Sequence, residues 1–445
     1  MKNKKYGLYT AISLVVANMV GTGVFTSLGF QVLDISSGFS IVLLWLIGGI
    51  AALCGALSYA ELGASMPRSG GEYFYLSKIY HPGLGFIAGW VSFLVGFAAP
   101  VAAASIAFSK YLTQSINFHS FLPETVSAST ISSVLAILII VLISIVHLTN
   151  KKTGALFQNS FTTFKVLILV VLIIIGFIYG NTENISFKPD ANAGKDIFSP
   201  AFAVALYFVL YSYSGWNAAA YIAGEIDRPS RNLPLSLIFG TLIVIVLYVL
   251  LNLVFLYAIP INEMAGELEI GYIFGLKIWG TGAGKIMGFI ISFLLLSTIS
   301  SMILTGPRVT QVMGEDYPLF KWLSFKNKRD IPQRAIIIQS IISVIYVLTS
   351  TFDQVITFIG FTLNIFAFLT VLGVIINRIK NPDMERPYKT IGYPVIPAIF
   401  LIINVWIMAY GLIYKPYESF AGIGVSLIGL LVYFYGKRSI NKKSI

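Results

Sequence analysis

The sequence predicts an all-α polytopic membrane protein with twelve transmembrane helices, and three observations predict it. Of 445 residues, 57% are hydrophobic and 11% carry a formal charge, whereas soluble domains run near ~25% charged. Apolar runs recur along the chain, and twelve spans of ~22 residues would occupy ~264 positions, close to the apolar fraction. The longest connections, about 181–197, 260–283 and 314–334, fall short of the ~50 residues a soluble domain needs. The composition excludes a soluble enzyme, a nucleic-acid binder and a disordered chain. Any chemistry lies inside the helical bundle.

The first apolar run, 8–34, follows a basic start (Lys2, Lys4, Lys5) as a secretory leader would. It is too long for one and lacks a small-x-small cleavage end, so it reads as a retained helix. The next runs are 39–64, 83–113, 128–148 and 155–180, separated by clusters such as Pro67-Arg68-Ser69-Gly70-Gly71 and Lys151-Lys152. Five more follow at 198–223, 233–259, 284–313, 335–351 and 355–377, then 395–414 and 420–436, with a basic tail at 437–445. The whole forms one transmembrane domain, 1–436.

Basic residues set the orientation. With the N-terminus inside, 23 of the 30 Lys and Arg fall on the inner side, six on the outer, and Lys165 on neither. The nine inner and ten outer acids sharpen the contrast, so the net charge of +11 is a topology signal. Both termini are expected in the cytoplasm and the chain in the cell membrane, its lipid bilayer the one extended partner. Cys54 is the single cysteine, so an internal disulfide framework is excluded. His81, His119 and His147 have no metal-ligand spacing, and neither metal nor cofactor is expected. No Ser-His-Asp, phosphate-loop or zinc pattern occurs, so an enzyme is not expected.

Helices 1–5 (8–180) and 6–10 (198–377) are of similar length, and five spans invert the second half relative to the first. The first helix of each half carries a break: Gly21-Thr22-Gly23 in one, Ser212-Tyr213-Ser214-Gly215 in the other. Paired interrupted spans in inverted halves point to a transporter's substrate site. About 13 residues into its helix, the first break lies ~20 Å into the membrane. There the N–H groups of a restarting half-helix suit a carboxylate, and the Met19 and Val20 carbonyls ending the preceding half suit an ammonium. Close helix packing through small residues is the other reading. A dinucleotide loop is excluded because Thr26 replaces the third glycine. Tyr211 to Asn217 offers a second set of backbone groups, or a polar packing face. Together the two breaks would hold a zwitterion by backbone rather than by charged side chains.

Lys165 is the one basic residue of the membrane interior, ~16 Å from the inner end of its helix and ~22 Å from the outer. Burying an ammonium there costs at least ~2.5–3.5 kcal/mol. Either it bonds carbonyls near the first break in place of a coupling sodium ion, or it loses and regains a proton; snorkelling is the bland alternative. The hydroxyl-rich segment Ser297-Thr298-Ile299-Ser300-Ser301 supplies neighbours. Glu61 and Glu72, with Arg68 between them, read as an interfacial cluster capping the second helix, and Glu225, Asp227, Arg228 and Arg231 read likewise.

At these segments the chain resembles the amino acid–polyamine–organocation (APC) superfamily, in its L-type amino acid transporter-like branch. Gly21 to Phe25, Tyr59 to Gly63, Pro67 to Tyr73, Tyr213 to Asn217, Glu225 to Pro234 and Arg386 to Lys389 carry the likeness, in order and in register. The resemblance implies a LeuT-like 5+5 inverted repeat plus two C-terminal helices. It implies a substrate carboxylate on the amides of Thr22, Gly23 and Val24. The ammonium would meet carbonyls near Met19, Val20, Tyr211 and Ser214, with Trp216 as a gate-side aromatic. It places Lys165, with Gly21, Ser297 and Ser300 around it, where other members hold sodium, and gives Tyr248 a gating role. Heteromeric animal members use a cysteine between helices 3 and 4 to join a heavy chain. Residues 114–127 contain none, so no disulfide-linked heavy chain is expected and a stand-alone, monomeric carrier fits. Ser214 stands where members with bulky substrates often have glycine, and the breaks carry no acid. The expected function is sodium-independent exchange of small neutral L-amino acids by alternating access. Proton-coupled uptake through Lys165 is the alternative, and a non-transporting amino acid sensor a remote one.

Overall fold

The computed structural model describes residues 5–116, 118, 123, 125–149, 151–180, 187–189, 196–329 and 331–443, with the backbone alone for 151–157, 353 and 437–443. Lys2, Lys4, His119, Lys195, much of the 114–127 loop and the last two residues of the basic tail lie outside the described residues.

Helices dominate, and among the described residues the only β pairing is an isolated bridge between Tyr6 and Ile226. In chain order they are α1 (Leu8–Met19), α2 (Gly23–Gln31), α3 (Gly38–Ser65), α4 (Glu72–Ile79), α5 (Pro82–Val91), α6 (Ala98–Ser115), α7 (Ala128–Thr149), α8 (Lys151–Tyr179) and α9 (Pro200–Tyr213). There follow α10 (Ala218–Tyr221), α11 (Pro229–Ala258), α12 (Ile261–Met264), α13 (Ile270–Trp279), α14 (Thr281–Asp316), α15 (Gln333–Thr349), α16 (Phe352–Lys380), α17 (Val395–Tyr414) and α18 (Pro416–Lys443). Local chemistry sets the starts. Ser199 caps α9 by accepting the Phe202 amide at 3.1 Å, with Pro200 already in the first turn. Thr351 and Gln354 close a capping box on α16. α5 passes through a π-helical turn, Ser92–Gly96, into α6, an expansion common beside functional sites.

Ten helical stretches among the described residues are long and apolar enough to cross a membrane, which makes this a multi-pass membrane protein. Two of the twelve anticipated runs fall short of that length. Residues 198–223 split into α9 and α10, and 335–351 is the 17-residue α15. The connection 260–283, too short for a soluble domain, contains α12 and α13. This segment closes over the C-terminal end of α2, with the Gly266 amide on the Gly29 carbonyl at 2.9 Å. Tyr111 of α6 bonds both sides, donating to Phe25 O at 2.8 Å and accepting from the Gly271 amide at 3.3 Å.

Burial places the elements. The apolar window of Leu8–Gln31 is 94% buried, while that of Pro416–Gly436 is 22% buried. The first broken stretch is therefore the axis of the bundle, and α18 is peripheral. Around α1 and α2 pack α8, α9, α11 and α14, with α3 along α11 and α6 along α14.

Candidate functional site

The two breaks pack against each other, and glycine permits it. α1 stops at Met19 and α2 starts at Gly23. A Cβ on Gly23 would stand 2.6 Å from the Cα of Ser212, closer than any real contact. Reciprocally, Gly215 has φ +95°, a conformation L side chains rarely adopt, and a Cβ there would lie 2.9 Å from backbone and side-chain atoms of Asn18. Each break thus presses its glycine onto the helix interrupted by the other. Side chains complete the contact: Thr22 Oγ1 and Tyr211 OH lie 3.1 Å apart, Ser27 and Ser212 hydroxyls 3.0 Å. Among the described residues no hydrogen bond engages the amides of Thr22, Gly23 and Val24. These are the orphan donors that a helix start leaves.

The carbonyls freed at the end of α1 are taken up by intact helices. Lys165 of α8, 1% exposed, donates from Nζ to Val20 O at 2.5 Å and to Thr298 Oγ1 at 2.8 Å. Thr298 in turn donates to Val20 O at 2.9 Å. Gly21 lies against the same threonine, where a Cβ would come within 3.2 Å of its methyl group. The lysine's partner is Thr298 and not its flanking serines. Ser300 instead bonds His147 Nε2 at 2.8 Å, and the buried Ser297 hydroxyl has no partner among the described residues. A carbonyl offers two lone pairs, and Val20 O spends both on Lys165 and Thr298. That counts against Val20 as an ammonium ligand. Tyr248 of α11 sits between the breaks, its hydroxyl 2.5 Å from Met19 O and 3.1 Å from Ser212 O. Its ring meets Trp45 edge-on at 5.5 Å.

Beside the second break lies a cavity of about 80 Å³, lined by Asn18, Glu72, Phe97, Ser214, Trp216, Asn217, Asn364 and Asn404 among others. Of the residues anticipated to contact substrate, Ser214 and Trp216 line it. Met19, Val20, Thr22, Gly23, Val24 and Tyr211 do not; they are buried where the breaks meet. Trp216 is fixed by edge-on contacts with Tyr59 at 4.7 Å and Phe400 at 6.0 Å.

The two glutamates differ from the expected interfacial caps, because each is buried in a specific bonding shell. Glu61 accepts from Arg378 at 2.9 and 2.6 Å and from the Thr390 amide at 2.7 Å, so it fastens the segment around Arg386 to α3. Glu72, 3% exposed, accepts from Tyr59 OH at 2.6 Å and from Asn217 Nδ2 at 3.0 Å and faces the cavity. Burial pushes its carboxyl up to about 7 despite those donors. Glu225 pairs with the buried Arg308 at 3.3 Å. Its carbonyl takes the Tyr6 amide at 2.8 Å, joining the N-terminal segment to the chain beyond α10. The sequence singled out neither Asn18, Asn364 nor Asn404. An asparagine within an apolar run was the signal available.

The profile of the amino acid permease family matches residues 6–435 of the chain. The chain is 30% identical over 436 residues to the Homo sapiens b(0,+)-type amino acid transporter 1, covering 97% of itself and 87% of that protein. It is 28% identical over 437 residues to the Mus musculus large neutral amino acids transporter small subunit 2, covering 97% and 81%.

Proposed function

The chain belongs to the amino acid permease family, and from that premise we propose that it is a sodium-independent exchanger of small neutral L-amino acids in the cell membrane. The reading takes twelve spans in a LeuT-like 5+5 inverted repeat plus two helices, with both termini cytoplasmic. The short α9–α10 pair and α15 serve as the two spans beyond the ten long ones. The substrate carboxylate sits on the Thr22, Gly23 and Val24 amides, which have no partner among the described residues. Its ammonium meets the carbonyls of Met19, Tyr211 and Ser214, and Trp216 closes the inner side. Alternating access moves the site between faces, with Tyr248 tying both breaks together as they move.

One observation carries the sodium independence: the Lys165 ammonium bonds Val20 O and Thr298 Oγ1, so a fixed cation occupies the break where a sodium ion would otherwise be needed. The cavity next to that site, through which the substrate would pass, favours a small one. One water takes ~10–15 Å³ on its scale, so about 80 Å³ holds a ligand of few heavy atoms, alanine rather than a bulky aromatic. A second reading, proton-coupled uptake, draws on the same lysine, whose partners among the described residues are a carbonyl and a hydroxyl and which would release its proton during the cycle. One experiment separates them: radiolabelled alanine uptake into proteoliposomes with and without internal amino acid, sodium and a pH gradient. Uptake that requires internal substrate and ignores sodium supports exchange. Uptake driven by a pH gradient into empty vesicles supports the second reading, and a requirement for sodium sinks both.

A further inference from the structure

The cavity has a polar wall that the proposed substrate contacts leave unused. Glu72 is the one acid among its described lining residues. It reaches the cavity from α4, where its carboxylate is held by Tyr59 from α3 and Asn217 from the link before α10. The titratable groups facing it are Tyr59 and Tyr221, and among the described residues no cation pairs with it. Asn404 of α17, 1% exposed, lines the same cavity. Its Nδ2 donates to Phe400 O at 2.8 Å, which fixes the amide orientation and leaves Oδ1 without a partner. A buried acceptor left unsatisfied costs roughly 1–3 kcal/mol, and an uncompensated carboxylate costs more. A buried anion and an unpartnered acceptor therefore share a cavity beside the break, and a primary ammonium complements both.

We propose that this cavity is a second substrate station, in which the Glu72 carboxylate and Asn404 Oδ1 receive the amino acid's ammonium group as it leaves the carbonyls of the breaks toward the inner face. The inference rests on the transport reading above. Beside the breaks the substrate would otherwise cross a mostly apolar space with its ammonium stripped of water, and the station lowers that barrier. Only the ionised carboxylate serves. With its titration raised to about 7 by burial, Glu72 is mostly charged one unit above that value and mostly protonated one unit below. Inner-face affinity thus falls as the inside acidifies.

The test uses right-side-out and inverted membrane vesicles of an expressing bacterium, with labelled L-alanine as probe. For the wild type on inverted vesicles, the half-saturation concentration rises about tenfold between pH 8 and pH 6, as a one-proton titration near 7 dictates. Glu72→Gln raises the inner-face value several-fold more than the outer-face value and flattens the pH profile, while Glu72→Asp keeps a pH-dependent profile. Tyr59→Phe removes a donor to the carboxylate and moves the midpoint upward, which keeps the idea testable if the glutamine variant does not fold. An inner-face profile that is flat in the wild type, or unchanged in Glu72→Gln, overturns the station. Failure of the transport reading shows separately, as vesicles that move no alanine. In that event infrared difference spectra of the purified protein decide. An alanine-induced carboxylate band that vanishes in Glu72→Gln supports the station, and no such band overturns it.

Discussion

Replacing Lys165 by methionine isolates the fixed cation from its packing, because the apolar stem keeps nearly its volume while both donors and the charge disappear. The wild-type Nζ makes two bonds, to Val20 O at 2.5 Å and Thr298 Oγ1 at 2.8 Å. Hydrogen bonds from a charged group contribute about 1.5–3 kcal/mol each, while burying the ammonium costs at least about 2.5–3.5 kcal/mol. Those terms largely cancel in the folding balance, so Lys165→Met is expected to remain folded with a thermal midpoint close to wild type. They do not cancel in the cycle. Val20 O keeps the Thr298 hydroxyl at 2.9 Å but loses its cation, and the end of α1 is free to wander. Losing one bond's worth, about 1.5–3 kcal/mol, from the productive geometry lowers exchange roughly 10- to 150-fold. The assay is alanine exchange in proteoliposomes, normalised to protein that elutes as a single peak and melts cooperatively. Exchange within twofold of wild type in such a preparation refutes the assignment. A collapsed melting point would instead show that the lysine holds the fold.

Tyr248→Phe deletes the hydroxyl shared by Met19 O and Ser212 O; at about 0.5–1.5 kcal/mol per neutral bond, exchange should fall a few-fold with unchanged expression, read in the same vesicles. Gly23→Ala drives a methyl onto the Ser212 backbone at 2.6 Å, so labelled-alanine binding should be lost, whereas Gly282→Ala, which meets nothing within 4 Å, should bind normally. Ser214→Gly removes a hydroxymethyl group from the cavity wall and should shift competition toward leucine over alanine by about tenfold. Glu61→Ala strands Arg378 and Arg386. It should lower stability by about 3 kcal/mol, visible as a drop in thermal midpoint at a pH where wild type is stable.

Much of the site's frame could be read from the sequence because a membrane punishes exceptions. A glycine pair at Gly21 and Gly23 and a lone Lys165 in apolar runs each carry a cost that only a specific role offsets, so each announces itself. What the cost does not encode is the partner. Nothing along Ser297 to Ser301 distinguishes Thr298, because helical rotation decides which hydroxyl faces α1. Glu72 shows the opposite failure. Its neighbours Pro67, Arg68 and Gly70 mark a polar loop, yet α4 folds back and buries the carboxylate against Tyr59. The short helices α12 and α13 leave little trace in the sequence for a related reason. Their stability comes from packing over α2 and Tyr111, not from a strong periodic pattern.

The backbone groups at the breaks are divided among three kinds of donor, and that division is itself a mechanism. Val20 O is saturated by Lys165 and Thr298. Met19 O takes the Tyr248 hydroxyl and Tyr211 O the Ser214 amide at 2.9 Å, each with one lone pair left. A substrate ammonium has three N–H donors, and the remaining acceptors at Met19, Tyr211 and Ser214 match that number. With a fixed amine on one carbonyl, the end of α1 is tied to α8, and the exchanger proposed above would need no inorganic cation to assemble its site. In that proposal the same amine would keep the substrate off Val20 O and direct its ammonium toward the second break, on the side where Ser214, Trp216 and Glu72 border the cavity. On the proposed reading, one fixed lysine would account both for independence from sodium and for the direction in which the ammonium leaves.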